Sequence, residues 1–592
     1  MGLGILDDRK LDKVPGTVVL VKDVSQAQDG PIQIDTRLKY DLSGPNPVLL
    51  VPQPSDDPND PLNWPLWKRD VMLVLLCLES IIAVSLGPIL AANALTILLV
   101  FRTGISGVAL LTGYHLCGVG VAGLLFVASA RIWGTRHLYL LGGMLLVASS
   151  IWGALATSYK SFLWARILQG VAVCPFEALV NVSVGDMYPV HQRGMRMALS
   201  NLSLYGGAFF TPVIVGITSD RIGWRWTFWL VVIFGGVLFP FIVFFVPETA
   251  YRRPAYLNLD ISSKENLNAL DMTESGFHSS NEEKFDDVDV LEHPAPEKDS
   301  FLKTLLPFNG RKTDDTFWKV LFRPLPLIFH PAVFWGMLTQ GTLIGWTVMI
   351  GVDIAWFYRL YPVNFNPAET GYSYAGGFFG GLVGFVLSGL LSDWSAKYLT
   401  RLNKGVYEPE FRIVLVILQM IFGCLGLFGF GFTTNNLQKY PVGASIFFFA
   451  IEVMGMVIGA VASALYIVDA HRNISIEAFT CLLLFKNFFS FGITWIAWDW
   501  VIKEGVWKNF RTVGLIQVGV CLLSIPMYIL GKKNRSLMHR HNILEILGLT
   551  DRPILGSGDT LIESRARLRR MKVQQENVEW NERMRQQGRA RE

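Results

Sequence analysis

Twelve stretches of mostly apolar residues govern what this chain can fold into. Each is roughly 20 residues long, the length of helix that crosses about 30 Å of hydrocarbon. They cover 70–92, 105–128, 138–157, 162–184, 198–217 and 227–246, then 329–353, 371–391, 413–432, 442–468, 476–501 and 513–530. Between the sixth and the seventh lies a polar stretch, 247–323, richest in Asp, Glu, Ser and Asn over 270–296. A spanning helix satisfies its own backbone hydrogen bonds inside hydrocarbon, so the reading is an all-α membrane protein. Two groups of six spans joined by a polar linker predict two similar bundles with a path between them. The expected division is a tail over 1–69, a six-helix bundle over 70–246, a linker over 247–328, a second six-helix bundle over 329–530 and a tail over 531–592.

Composition supports this and removes other classes. With 51% hydrophobic and only 17% charged residues, 592 residues do not read as several soluble domains. A net charge of +4 argues against nucleic acid as partner. All six cysteines fall inside the apolar stretches without metal spacing, so they read as small apolar fillers. No catalytic triad, metal cluster or Gly-x-x-x-x-Gly-Lys-Ser/Thr phosphate loop is written in the chain, so neither an enzyme nor ATP drive is expected, and no cofactor. Residues before Leu62 read as a polar tail rather than a signal peptide.

Orientation follows from basic loops. If both termini are cytoplasmic, the short inner segments hold fifteen Lys and Arg and the outer segments nine. The tails and the linker are therefore expected inside, in a multi-pass plasma-membrane protein. Before the first span, Trp64 and Trp67 suit the lipid interface and Lys68 and Arg69 the headgroups.

Local motifs sharpen the reading. They are Asp60-Pro-Leu-Asn-Trp-Pro65, Arg166-x-x-Gln-Gly170, Gly185-Asp186, His191-Gln-Arg-Gly-Met-Arg196 and Gly223-Trp-Arg-Trp226. Pro247-Glu-Thr249, Val468-Asp469-Ala-His-Arg472 and Phe485-Lys-Asn487 complete the set. In these the chain resembles the major facilitator superfamily, and within it the fungal drug:proton antiporters, in particular the branch with histidinol and polyamine transporters. The resemblance runs from Asp60 to about Leu530. It implies a proton-coupled secondary transporter of a small organic molecule, embedded in lipid and acting as a monomer. Export of a drug, toxin or secondary metabolite is expected ahead of the alternative, uptake of organic cations such as polyamines; a non-transporting sensor on the same fold is a remote third.

The resemblance also assigns roles. Arg166, Asp186, Arg193 and Arg196 fall in gating or structural motifs. The family's loop between spans two and three carries an acid, but 129–136 has none, whereas its second-half counterpart keeps Asp393. A cytoplasmic latch leaning on Asp393 is therefore expected. Span five carries Gly206 and Gly207, and span eight carries Gly376, Gly380 and Gly384 four apart on one face. Small residues at that spacing let helices approach closely. In such transporters spans five and eight meet across the halves, so these glycines are expected at that join.

Ionisable side chains inside apolar stretches mark the path, because each is costly in hydrocarbon, by about 2.5 kcal/mol or more. They are Glu79 in span one, His115 in span two, Glu177 in span four, Glu452 in span ten and Lys486 beside Asn487 in span eleven. Burial favours the neutral form of a carboxyl, which suits proton coupling, while a carboxylate suits a cationic solute. Glu79 and Glu452 are expected to face the central path, with Lys486 close to Glu452.

Overall fold

A computed structural model describes residues 3–8, 10, 14–19, 39–41, 48–50, 52–252, 298–471 and 474–549. Twelve helices are long and apolar enough to cross a membrane. Spans one to six are Leu66–Phe101, Ile105–Trp133, Arg136–Leu155, Tyr159–Met187, His191–Ile222 and Arg225–Phe245. Spans seven to twelve are Pro331–Arg359, Pro367–Leu402, Pro409–Asn435, Val442–Ala470, Ser475–Glu504 and Val506–Ile546. Most run past the apolar stretches, because a helix continues through the interfacial zone once its polar flanks are good helix formers. Span seven passes Asp353 and ends at Arg359, which puts that aspartate inside a helix rather than at its end.

Local chemistry sets the ends. Pro331, Pro367 and Pro409 sit in first turns, where a missing N–H is harmless. Asn366 and Glu369 form a reciprocal capping box at the start of span eight, with bonds of 2.7 and 2.9 Å. Two spans are irregular. Span one breaks after Ser85 into a 3₁₀ turn, Pro88–Asn93, before resuming over Ala94–Phe101. Span nine contains a π segment at Met420–Cys424.

Each half has its own apolar core. Leu76, Phe162 and Phe176 are among the first-half residues, and Leu343, Phe430 and Val453 among the second. The chain ahead of span one, the described ends of the linker and the end of span twelve lie on one face, called here the terminal face. The linker re-enters as short helices at Phe301–Thr304, Phe317–Phe322 and Pro324–Leu327. Val320 and Leu321 pack on Ala128 and Ile132 of span two. The linker section 253–297, Arg472 and residues 550–592 lie outside the described residues.

Part of the N-terminal tail is built into the second half. Val18–Val19 pairs antiparallel with Val406–Tyr407 between spans eight and nine. The Leu6 amide donates to the Ile529 carbonyl at 2.9 Å, and Lys532 meets both Asp7 and Glu408 at 2.9 Å. A second compact unit takes in the described residues of Lys39–Asp56. Among its described residues a two-stranded ribbon pairs Tyr40 with Leu49 and Asp41 with Val48.

Candidate functional site

The two halves meet mainly through two pairs of helices, with the broken outer part of span one adding contacts to spans seven and eight. Spans two and eleven pack along their length. A methyl group on Gly120 would meet the Phe488 ring at 3.2 Å, and one on Gly123 would meet the Leu483 side chain at 2.7 Å. At the terminal end Arg131 of span two pairs with Glu477 of span eleven, which also holds Arg323 of the linker at 3.3 Å. Spans five and eight touch at the opposite end, where Gly216 backs onto the Pro367 carbonyl and Gly371. Deeper, Phe209 and Phe210 lie against Gly377 and Phe378.

The glycine ladder of span eight does not form that join. Methyl groups on Gly376, Gly380 and Gly384 would strike backbone atoms of Ile446, Ala450 and Met454, all in span ten. The three share one face, as the spacing requires, but the face turns into the second half. Gly377 and Gly381, one position on, look toward Phe209 of span five. In span five, a methyl on Gly206 would lie 3.8 Å from Phe378 across the join, whereas Gly207 sits against the Ile81 backbone of span one.

Partway along both helices, Lys486 of span eleven pairs with Glu177 of span four, joining second half to first. The expected closeness of Lys486 to Glu452 is thereby corrected: the lysine's carboxylate partner is Glu177. Glu452 is wholly buried among spans seven, nine and ten. Its Oε1 accepts from Thr347 at 2.8 Å, and its Oε2 has no hydrogen-bond partner among the described residues. Glu79 is also wholly buried, and neither carboxyl oxygen has a hydrogen-bond partner among the described residues. Its Oε1 lies toward Gly235 of span six, 3.9 Å from where a methyl there would sit. Each carboxyl is thus packed inside its own bundle rather than set on the join. Asp353 of span seven completes the set, fully buried with both oxygens unbonded among the described residues. Sequence reading missed it by ending span seven there, although the apolar Ala355-Trp356-Phe357-Tyr358 that follows is the signal of a continuing helix.

The other singled-out residues brace the first half. Arg166, fully buried, donates to the carbonyls of Leu86 (2.6 Å), Gly87 (3.2 Å) and Leu111 (3.2 Å) and to Gln169 (2.8 Å). It thereby satisfies carbonyls freed where span one breaks. Gly170 has no side chain because the His115 carbonyl lies against it. His115 is buried among spans one, two and four, its Nδ1 unbonded among the described residues. Asn487 donates to Leu483 of its own helix at 3.0 Å. Asp186 is half-buried at the terminal end of span four. Beside it Arg193 donates to the Gly185 and Tyr188 carbonyls at 2.6 and 2.7 Å. Arg196 bonds Asp70 at 3.1 Å and lies over the Tyr188 ring, tying span five to span one.

The terminal-face latch differs from expectation. The acid absent from 129–136 is supplied by Glu248 of Pro247-Glu-Thr249. Its carboxylate accepts from the Thr135 and Arg136 amides at 2.9 and 3.0 Å, at the start of span three, where an anion complements the helix end. Gly134, at φ +93°, leaves room for that carboxylate. Asp393 is 74% exposed and only 3.6 Å from Arg412, so the first half carries the tighter arrangement.

Twelve spans in two bundles, with charged residues joining the bundles partway along the helices, define a helical membrane carrier. The sequence profile of the Major Facilitator Superfamily matches residues 71–475, and the chain belongs to that family. Protein HOL1 of Saccharomyces cerevisiae is 25% identical, aligned over 88% of this chain and 95% of its own length. The citrinin biosynthesis cluster transporter mrr1 of Monascus ruber is 22% identical over 85% and 98%. Among solved structures, the proton:xylose symporter XylE aligns with a TM-score of 0.53 at 13% identity, over 78% of this chain and 96% of XylE. That likeness is one of fold. The protein is a multi-pass transporter of small solutes rather than an enzyme.

Proposed function

We propose that the protein is a proton-coupled carrier of a small organic cation, moving it outward in exchange for protons when the outer side is acidic. The observation that carries this is the state of Glu79, Asp353 and Glu452. All are wholly buried, and none has a cationic partner among the described residues. A carboxyl held so in hydrocarbon is satisfied by a proton or by a cation brought from outside, and competition between the two is exchange. The fold supplies alternation between two access states, whose populations solute and protons bias. The test is transport in vesicles under an imposed proton gradient. Glu79→Gln and Glu452→Gln keep shape and remove the titrating group. Each should abolish accumulation against a gradient over about pH 5 to 8, the range across which such coupling groups titrate. Parent-like accumulation in both would overturn the reading. A second reading, export of a neutral amphipathic metabolite, is favoured by the aromatic pocket between spans five and eight, lined by Tyr205, Phe209, Phe378 and Phe385. It predicts flux of uncharged aromatic solutes and indifference to Asp353→Asn.

A further inference from the structure

The ion pair between Glu177 and Lys486 has a place in the transport cycle that structural bracing does not explain. It joins span four of one half to span eleven of the other, partway along both helices. Its two side chains remain about one-fifth exposed, at 18% and 21%, whereas Glu79, Asp353 and Glu452 are sealed. Of these four carboxyls, that of Glu177 is therefore the most open to a solute. Tyr205 of span five, which lines the aromatic pocket, and Cys174 of span four are the other titratable groups at the pair. The surrounding packing is close. A methyl on Gly341 of span seven would lie 3.5 Å from the Lys486 backbone, and Asn487 packs against Gly120. Lys486 is consequently fixed at its root, and only its flexible stem and ammonium are free to leave Glu177.

We propose that Lys486 is a tethered stand-in for the transported cation. In the empty carrier its ammonium neutralises Glu177; an incoming organic cation takes the carboxylate, and the displaced ammonium turns to the solvent that already reaches about one-fifth of its side chain. Two consequences follow. The solute competes with a cation that is always present, so apparent affinity is lowered by the fraction of time Lys486 holds the site. The empty carrier also presents a neutral pair rather than a bare carboxylate, so it can change access state without a lone charge in hydrocarbon. This inference rests on the cation reading above and adds the residue that sets affinity and permits return of the solute-free, protonated carrier.

The experiment uses the full chain in vesicles, with radiolabelled spermidine, tetraethylammonium and histidinol as probes. Net efflux into probe-free medium is compared with exchange against unlabelled probe. Lys486→Gln should lower the KM for exchange about tenfold, as expected if the lysine holds the site about nine-tenths of the time. It should also reduce net efflux relative to exchange, because only loaded carriers then return. A rise in KM, or an unchanged ratio of net efflux to exchange, overturns the tether while leaving the carrier reading intact. A parent protein that moves none of the three probes overturns the carrier reading and the tether with it. If Lys486→Gln alone is not produced, the double variant Lys486→Gln with Glu177→Gln leaves no lone charge and should be made in parental yield. It should then fail to exchange any probe; exchange in that variant also overturns the proposal.

Discussion

Gly380→Ala is expected to weaken the second half without touching the join between halves. A Cβ at Gly380 would lie 2.7 Å from the carbonyl carbon and 2.8 Å from the Cα of Ala450, and closer still to its oxygen. Attractive carbon contacts sit near 3.5–4.0 Å, so spans eight and ten must part by about 1 Å. The atoms met are backbone and cannot rotate away, which places the substitution at the upper end of overpacking costs, about 3 kcal/mol. The gain from replacing a mid-helix glycine, about 1 kcal/mol, offsets part of this and leaves a net loss near 2 kcal/mol. For a unit the size of one half, each kcal/mol shifts the midpoint by about 2–4 °C, so a fall of about 4–8 °C is expected. The assay is thermal unfolding of the purified protein in detergent, with Gly381→Ala as control. There the nearest atoms are Val453 Cγ1 at 3.6 Å and Phe209 at 3.8 Å, ordinary contacts, so Gly381→Ala should melt within about 1 °C of the parent. If Gly380→Ala melts with the parent and Gly381→Ala melts low, the assignment of faces on span eight is wrong.

Three further expectations concern the terminal face. Arg535→Met removes a cation bonded to Glu410 at 2.8 and 2.9 Å and to Glu408 at 2.7 Å, leaving buried Glu410 without a cationic partner among the described residues while Lys532 still holds Glu408. Stability measured by denaturant or heat should fall by about 3–5 kcal/mol, against less than about 1 kcal/mol for Asp7→Asn at the exposed Lys532 pair. Glu477→Gln discharges the carboxylate that Arg131 and Arg323 share, and alkylation of buried Cys481, one turn along span eleven, should speed several-fold; an unchanged rate would show that the pairs do not hold that end shut. His330 lies ring-to-edge against His471, with Arg535 and Tyr466 nearby, and burial holds its imidazole down at about 4 from 6.5. The unfolded chain therefore takes a proton first: stability is unaffected above about pH 6.5 and falls from there toward pH 4, by about 3 kcal/mol in all. His330→Gln should flatten that slope in melting measured between pH 7 and 5, and a slope as steep as the parent's would assign it to other groups.

How much of this was written in the sequence depends on whether a feature is periodic along one helix or created between helices. The twelve spans, their grouping and the shared face of Gly376, Gly380 and Gly384 all follow from spacing within a single segment, and the structure keeps them. Which neighbour that face meets does not follow, because a rotation of span eight by one residue, about 100°, exchanges Gly380 for Gly381 and span ten for span five. The same limit explains Lys486. Its depth was legible, and counted from the terminal-face helix ends it matches Glu177 of span four better than Glu452 of span ten, but only packing shows that the two side chains meet. The missing loop acid was a question of partner as well. Glu248 was visible in Pro247-Glu-Thr249, more than a hundred residues from Thr135, and no spacing rule joins them. Asp353 differs, because its signal was local: five apolar residues after an aspartate place that aspartate inside a helix, not after it. Ionisable residues in a membrane bundle are therefore readable as depths before they are readable as pairs. Function turns on the second step, since a carboxylate paired with Lys486 and one left without a cation favour opposite states when the solute is absent.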